Sequence, residues 1–576
     1  MMNVILGINA YHGDSSAALV QDGVLVAAAE EERFKRIKHW AGMPLASIQY
    51  CLETAGLKIQ DVDHIAISTD PKANLRHKAT YSLKNRVKFG SVLERMKRMS
   101  KTLGIKEKIA EYLGVDDREI KAEVVNVEHH KAHAACGFFT SPFERSAILS
   151  IDGMGDFVST WFGYGEGNNI AGFRKVYYPH SVGFLYEATT RFLGFPKYGD
   201  EYKVMGLAPY GRPVYADIFR KIILPENGAF SLNMDYFTHG KNIPHMKWDG
   251  GEPTAEAIYS SIFEKELGPS FPDRSPADER MQNIAASLQA VTEEIVFYLL
   301  KSLYTHFPCD NLCLVGGVAM NSVANGKAYM KTPFRNIFVP AGAADNGTSI
   351  GAAFYVWNLI MKSPRTFEMK HAFWGSSFSD EECRRVIENH GVHAERMDDA
   401  PLTKAVVELL CDGKVVGWFK GRMEFGARAL GNRTLLADPR RADMREIINT
   451  RIKFREKFRP FAPSVMEEHV SDYFEYSVPS PFMEKVVPIR AEKRAEIPAV
   501  THVDGTGRLQ TVDSETNPKY WNLISEFKKR TGVPMVLNTS LNENEPIVRT
   551  PEEALQCFLR TKMDAIVLES FLVTGK

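Results

Sequence analysis

An α/β fold in at least two domains is what this sequence predicts, and three observations carry the expectation. The chain has 576 residues, more than one hydrophobic core usually serves. Near its start, "VILGINAYHGDSSAALVQDGVLVAAAEEERF" reads as strand, polar turn, strand, tight Gln21-Asp22-Gly23 turn and strand, because a DG pair between apolar runs is a hairpin signal. A related pattern returns at 146–168, "SAILSIDGMGDFVSTWFGYGEGN", where an apolar strand again meets a turn bearing Asp and Gly. The recurrence points to a duplicated architecture, each turn able to set backbone N–H groups and an acid beside a phosphate or its metal.

Later elements follow the same reading. In "NLCLVGGVAMNSVANGKAYM", residues 311–330, a buried strand runs into Gly316-Gly317 and then a helix. Glycines there allow a ligand close to the backbone, and a helix N-terminus favours anions. In "IFVPAGAADNGTSIGAAFYVWNLI", Asp345 sits in a small-residue turn before an apolar helix. Residues 361–379 contain Pro364 and no clear period, so the domain junction is expected there: 1–362, a linker at 363–378, and 379–576. The second domain should open on a helix with Ser379 and Glu382 at capping-box spacing and close on one started by Thr550, Pro551 and Glu553. Between them, "KVVGWFK" and "VPMVLNTS" read as strands.

Composition excludes some functions. Lys+Arg and Asp+Glu both total 71, so zero net charge argues against bulk attraction to nucleic acid or an anionic membrane. No basic n-region marks a signal peptide and no apolar run is long enough to span a membrane. The seven cysteines are scattered, with Cys309 and Cys313 the one close pair, so a reducing cytoplasm is expected. Residues 76–108 are strongly basic and read either as a solvated amphipathic helical insertion or as a lid over an anionic acceptor or membrane contact.

Two constellations carry chemistry. In "VEHHKAHAA", His129 and His133 are one helical turn apart, but His130 stands where zinc proteases place a glutamate. With Asp152 and Asp345 from the glycine-rich turns they make two imidazoles and two carboxylates, a set suited to Fe²⁺, Mn²⁺ or Zn²⁺. The second spans 421–464, where Arg422, Arg428, Arg433, Arg451, Arg455 and Arg459 lie among Gly and Pro. Guanidinium forks there suit phosphate or carboxylate oxygens, and "VLNTSLNENEPIV" would deliver Asn538 and Ser540 to the same pocket. Lys38, in "EEERFKRIKH", reads as surface charge or as charge neutralisation near the first turn.

Together, "HGDSSAALV", "EEERFKRIKH", "EHHKAHAA", "IDGMGD", "EYKVMGLAPYG", "VGGVAMNS", "GARALGNRTLL", "FRPFAPS" and "LNTSLNENEPIV" resemble, in order and over nearly the full length, the NodU/CmcH family of carbamoyltransferases. The resemblance implies a duplicated actin-like (ASKHA) N-terminal domain and a YrdC-like α/β C-terminal domain. It implies that the second domain turns carbamoyl phosphate and ATP (with magnesium) into carbamoyl-adenylate. The first would then pass the carbamoyl group to a small-molecule hydroxyl acceptor. By the same resemblance His129, His133, Asp152 and Asp345 hold iron(II) or another divalent metal. Lys38, Gly183, Gly317 and Asn321 hold the adenylate, and His12 lies near the acceptor hydroxyl as a base. Arg428, Arg459, Arg508, Asn538 and Ser540 form the carbamoyl phosphate and ATP pocket. A sugar kinase on the same fold is a competing reading, but it leaves "EHHKAH" and residues 379–576 without a purpose; an ATP-gated binding module is a third, since fold alone does not decide function.

Overall fold

The computed structural model describes residues 2–84, 104–240, 250–254, 256–273 and 275–575. The chain divides into two compact units. One holds residues 1–35, 39–320 and 328–369; the other holds 370–576 together with two short pieces, 36–38 and 321–327. Those pieces fall inside the stretch that the sequence assigns to the first domain.

In the first unit, β1 (Val4–Asn9), β2 (Ser16–Gln21) and β3 (Val24–Glu30) form an antiparallel meander. The DG signal is met: Asp22 at φ 47° and Gly23 at φ 79° make the left-handed pair that a tight hairpin requires. Strands β4 (His64–Ile67) and β5 (Glu123–Asn126) extend the sheet in parallel from β1, giving the order β3-β2-β1-β4-β5. The second sheet repeats the plan. Strands β6 (Arg145–Gly155), β7 (Val158–Glu166) and β8 (Asn169–Tyr177) form the meander. A separate hairpin of β9 (Ile223–Glu226) and β10 (Ala229–Leu232) intervenes. Then β11 (Asn311–Val315) and β12 (Asn336–Phe338) extend from β6 in parallel. The order β8-β7-β6-β11-β12 matches the first sheet strand for strand, which is the duplicated actin-like architecture.

Each sheet is followed by a helix made of small residues. His129–Phe139 follows β5 and Thr348–Tyr355 follows β12, and the two pack on one another. Their approach is set by glycine. A Cβ on Gly351 would lie 1.8 Å from the Ala132 carbonyl oxygen, and one on Gly7 of β1 would lie 1.9 Å from that of Ser349.

The second unit is built on one mixed sheet of nine strands. They are β13 (Ala394–Arg396), β14 (Val416–Phe419), β15 (Arg433–Ala437), β16 (Ala462–Met466), β17 (Lys485–Pro488), β18 (Thr506–Val512), β19 (Met535–Ser540), β20 (Ala565–Leu568) and β21 (Phe571–Val573), in the order β13-β21-β20-β14-β15-β19-β16-β18-β17. The Ser379–Glu382 capping box starts its first helix, and Thr550 accepts from Glu553 N–H at 3.1 Å to start its last. Within the basic segment, Leu75–Lys84 and Ile105–Leu113 are helices, and residues 85–103 lie outside the described residues. Among the described residues no helix is long and apolar enough to cross a membrane.

The packing yields a stability test. Gly7→Val drives a side chain into the Ser349 carbonyl and should cost about 3 kcal/mol of unfolding free energy in urea titration. Gly251→Ala, with nothing within 4 Å of the added carbon, should leave the midpoint unchanged.

Candidate functional site

Four donors meet in the first unit. His129 and His133 project from one face of their helix, Asp152 from β6, and Asp345 from the turn before Thr348–Tyr355. All four ligand atoms lie within 4.8 Å of one another, and all four residues are buried. His129 Nε2 is 3.0 Å from Asp152 Oδ2 and 3.1 Å from His133 Nε2. Asp345 Oδ1 lies 3.5 and 3.4 Å from these two nitrogens and is a buried oxygen without a hydrogen-bond donor. Two imidazole nitrogens and an orphaned carboxylate oxygen aimed at one point fit a divalent cation.

The neighbours of the cluster fix its aim. Asp152 Oδ1 accepts from Gly153 N–H at 2.7 Å and Gly317 N–H at 3.1 Å, which turns Oδ2 toward the histidines. His129 N–H donates to Asp156 Oδ2 at 2.9 Å, and a Cβ on Gly155 would sit 2.0 Å from the His129 ring. Burial lowers the His129 pKa, but its bonds to Asp152 and Asp345 outweigh burial and hold it well above the usual imidazole value. Burial and mutual repulsion push both carboxyls up, yet the histidines hold Asp152 and Asp345 well below the usual carboxylate range.

His130 has a different job. Its Nδ1 accepts from Ser150 Oγ at 2.7 Å and its Nε2–H donates to the Val158 carbonyl at 2.9 Å, so it clamps the helix to β6 and β7. Burial, with His129 and His133 beside it, drives its pKa down to about 3, so the ring is neutral.

The remaining first-unit candidates divide. His12 joins the cluster, with Nδ1 3.3 Å from Asp345 Oδ2 and its ring stacked on His129 at 5.0 Å. Gly183 packs backbone to backbone on the same strand, a Cβ there falling 2.8 Å from Gly153 Cα. Gly317 binds Asp152 directly, as above. Asn321 caps the helix Ser322–Lys331, its Oδ1 accepting from Ala324 N–H at 3.1 Å. Asn321 and Lys38 both belong to the short pieces of the second unit. Lys38 is an electrostatic neighbour of Lys453 there.

In the second unit the arginines sort into two kinds. Arg428, Arg455 and Arg459 converge on Arg508 of β18: burial first, then these three cations, hold the Arg508 guanidinium well below its ordinary pKa. Arg422 and Arg433 instead brace the backbone. Arg422 donates to the Trp374 carbonyl at 2.8 Å; Arg433 donates to those of Gly421, Asn432 and Ser376 and lies 3.7 Å over the Phe419 ring. Asn538 and Ser540 lie on β19. Asn538 Nδ2 donates to Ala429 O at 3.0 Å, Ser464 Oγ at 3.0 Å and Gln510 Oε1 at 2.8 Å, which ties down the loop carrying Arg428. Ser540 Oγ donates to Asn542 Oδ1 at 2.7 Å.

Sequence reading missed two organisers here. Buried Lys453 donates to Asn542 Oδ1 at 2.6 Å, Asn542 O at 2.7 Å and Ser540 O at 2.5 Å; burial, Arg455, Lys38 and Arg459 all depress its pKa. Glu424 Oε1 gathers the N–H groups of Leu430, Asn432 and Arg433 at 2.8, 2.8 and 3.1 Å. A lone acid at the head of an arginine- and glycine-rich loop was the available signal for Glu424. Nothing local distinguishes Lys453 from the cations around it.

Comparison with known proteins agrees with this layout. Residues 4–354 match the family model "Carbamoyltransferase N-terminus" and 407–575 match "Carbamoyltransferase C-terminus". The chain belongs to the carbamoyltransferase family, and it is an enzyme of that class. It is 40% identical over 608 aligned residues to protein sll1178 of Synechocystis, covering 99% of this chain and 97% of that one. It is 39% identical to nodulation protein NolNO of Sinorhizobium fredii, covering 98% and 79%, and 38% identical to NolO of Bradyrhizobium diazoefficiens, covering 78% of each.

The His130 clamp predicts a loss unrelated to metal donation. His130→Ala removes two buried hydrogen bonds and opens a cavity, so the urea midpoint should fall by the equivalent of about 3 kcal/mol.

Proposed function

We propose that the protein is an ATP-dependent O-carbamoyltransferase acting in two stages. In the second unit, carbamoyl phosphate is hydrolysed and the carbamate oxygen attacks the α-phosphorus of magnesium-bound ATP, giving carbamoyl-adenylate and pyrophosphate. In the first unit, a hydroxyl of a small natural product or sugar attacks the carbamoyl carbon and AMP leaves. The observation that carries the reading is the separation of two opposite chemistries in one carbamoyltransferase chain. Arginines converge in one unit, while buried imidazoles and carboxylates converge in the other.

The residues divide the work. Arg428, Arg459 and Arg508 neutralise the reacting phosphates, with Asn538 and Ser540 orienting the carbamoyl end. In the first unit Gly183 and Gly317 hold the adenylate and His12 lies beside the acceptor; Lys38 and Asn321 are the second unit's candidates for binding it. His129, His133, Asp152 and Asp345 would hold a divalent cation, iron(II) or a first-row relative, that supplies Lewis acidity to the departing phosphate. All seven cysteines are unpaired, which supports a reducing compartment such as the cytoplasm. The sugar-kinase alternative leaves residues 407–575 without a task, and that stretch matches the carbamoyltransferase C-terminus.

The reading is tested by incubating the protein with ATP and carbamoyl phosphate. Pyrophosphate should appear only when both are present, and Arg508→Ala should slow it at least 100-fold. Pyrophosphate without carbamoyl phosphate, or ADP in its place, would falsify the scheme. A His129→Ala, His133→Ala double variant should keep pyrophosphate release within about threefold, yet lose bound metal in elemental analysis along with carbamoyl transfer.

A further inference from the structure

We infer that His39, paired with Asp14, is the general base that takes the proton from the acceptor hydroxyl. The inference rests on the carbamoyl-transfer reading and names a catalytic group in its first-unit site.

The pairing is close. Asp14 Oδ1 lies 2.7 Å from His39 Nδ1, a contact that keeps the proton on Nδ1 and leaves Nε2 with its lone pair. The backbone of His39 is held as well: its N–H donates to Glu32 Oε2 at 2.8 Å, while Glu32 Oε1 pairs with Arg33 at 2.7 Å. Asp14 and His39 both have left-handed backbones, φ 56° and 54°, and so do Tyr11 and Arg36 at 58° each. Non-glycine residues adopt that region at a cost, and such strain concentrates at functional sites.

The dyad adjoins the four-donor cluster. Asp14 is two residues beyond His12, which faces Asp345. Tyr198 spans the two groups. Its hydroxyl lies 2.6 Å from where a Cβ on Gly13 would be, and its ring meets His39 edge-on at 5.4 Å. Its phenol is under the fields of Asp345, Asp14, Asp152 and Glu201 at once. Gly199, at φ 82°, leaves backbone rather than a side chain beside His39 Nε2, where a Cβ would fall 2.2 Å away. Asp14, His39 and Tyr198 are all half-buried, as groups lining a cleft are.

His12 is the competing base, and geometry disfavours it. Its carboxylate partner, Asp345, also serves the four-donor cluster, and its ring is stacked on His129. Asp14 has no part in that cluster. In the proposed step His39 Nε2 accepts the hydroxyl proton as the oxygen bonds to the carbamoyl carbon. The bond from that carbon to the adenylate oxygen breaks, AMP leaves with the electron pair, and the imidazolium proton passes to solvent.

The test uses two acceptors that differ in their need for a base. The full chain is given ATP, carbamoyl phosphate and either molar glycerol or hydroxylamine, which attacks without prior deprotonation. Glyceryl carbamate and hydroxyurea are measured by mass spectrometry, with pyrophosphate as the control. His39→Gln should lower glyceryl carbamate at least 100-fold and hydroxyurea by less than threefold; Asp14→Asn should show the same selectivity at about tenfold. Glycerol transfer within threefold of wild type in His39→Gln overturns the assignment. So does an equal loss of both products, which marks a structural role, or a selective loss in His12→Asn instead. Wild-type protein that forms hydroxyurea but no glyceryl carbamate also overturns it. Absence of pyrophosphate from wild type is a separate result and sinks the carbamoyl-transfer reading itself.

Discussion

Two helices packed backbone against backbone hold the first unit's chemistry in place. Side chains larger than hydrogen at Gly351 and Gly7 would strike the carbonyls of Ala132 and Ser349, and one at Gly347 would fall 1.7 Å from that of Gly342. With glycine there, the helix bearing His129 and His133 lies against the helix that begins just after Asp345. The i, i+4 spacing then stacks both imidazoles on one face, and β6 supplies Asp152 from the adjacent sheet. None of these donors is near another in the chain except the histidines, so tertiary packing makes the site.

Both units gather ionisable groups at one place. In the first, two buried carboxylates and two buried imidazoles face each other, and the acids hold the His129 pKa above the usual imidazole value. In the second, Arg508 is depressed by burial and by three further arginines, so cations are concentrated there. Such arrangements cost stability in the protein alone and are offset when a ligand of opposite charge arrives. An anion suits the second unit and a cation the first. Neutral groups do much of the positioning: the amide of Asn538 and the backbone N–H groups around Asp152 and Glu424 fix geometry without adding charge.

How much of this was legible in the sequence depended on range. The DG hairpin, the strand ahead of Gly316, the capping box at Ser379 and the cap at Thr550 are local signals, and each formed as read. The four donors were legible because each sits in a small-residue or histidine-rich motif. Arginine function was not legible. Arg422 and Arg433 share a motif with Arg428, yet they bind carbonyls, because the direction in which each leaves its loop is a tertiary property. Lys38 was read with its sequence neighbours, and its influence on Lys453, distant in the chain, is a tertiary property. His39 lies in the motif "EEERFKRIKH" and Asp14 in "HGDSSAALV", but their pairing joins segments distant in sequence and so was not legible.

The place of His130 explains why a base must come from elsewhere. Successive helical residues turn by about 100°, so with His129 and His133 facing the donor cluster, residue 130 points to the side of it. In a zinc protease the glutamate at that position serves as the base beside the metal. Here that position meets β6 and β7, and the residue is spent on Ser150 and the Val158 carbonyl. The helix therefore supplies donors alone, and proton transfer falls to the β1–β2 turn and the segment after β3, where the left-handed backbones of Asp14 and His39 are found.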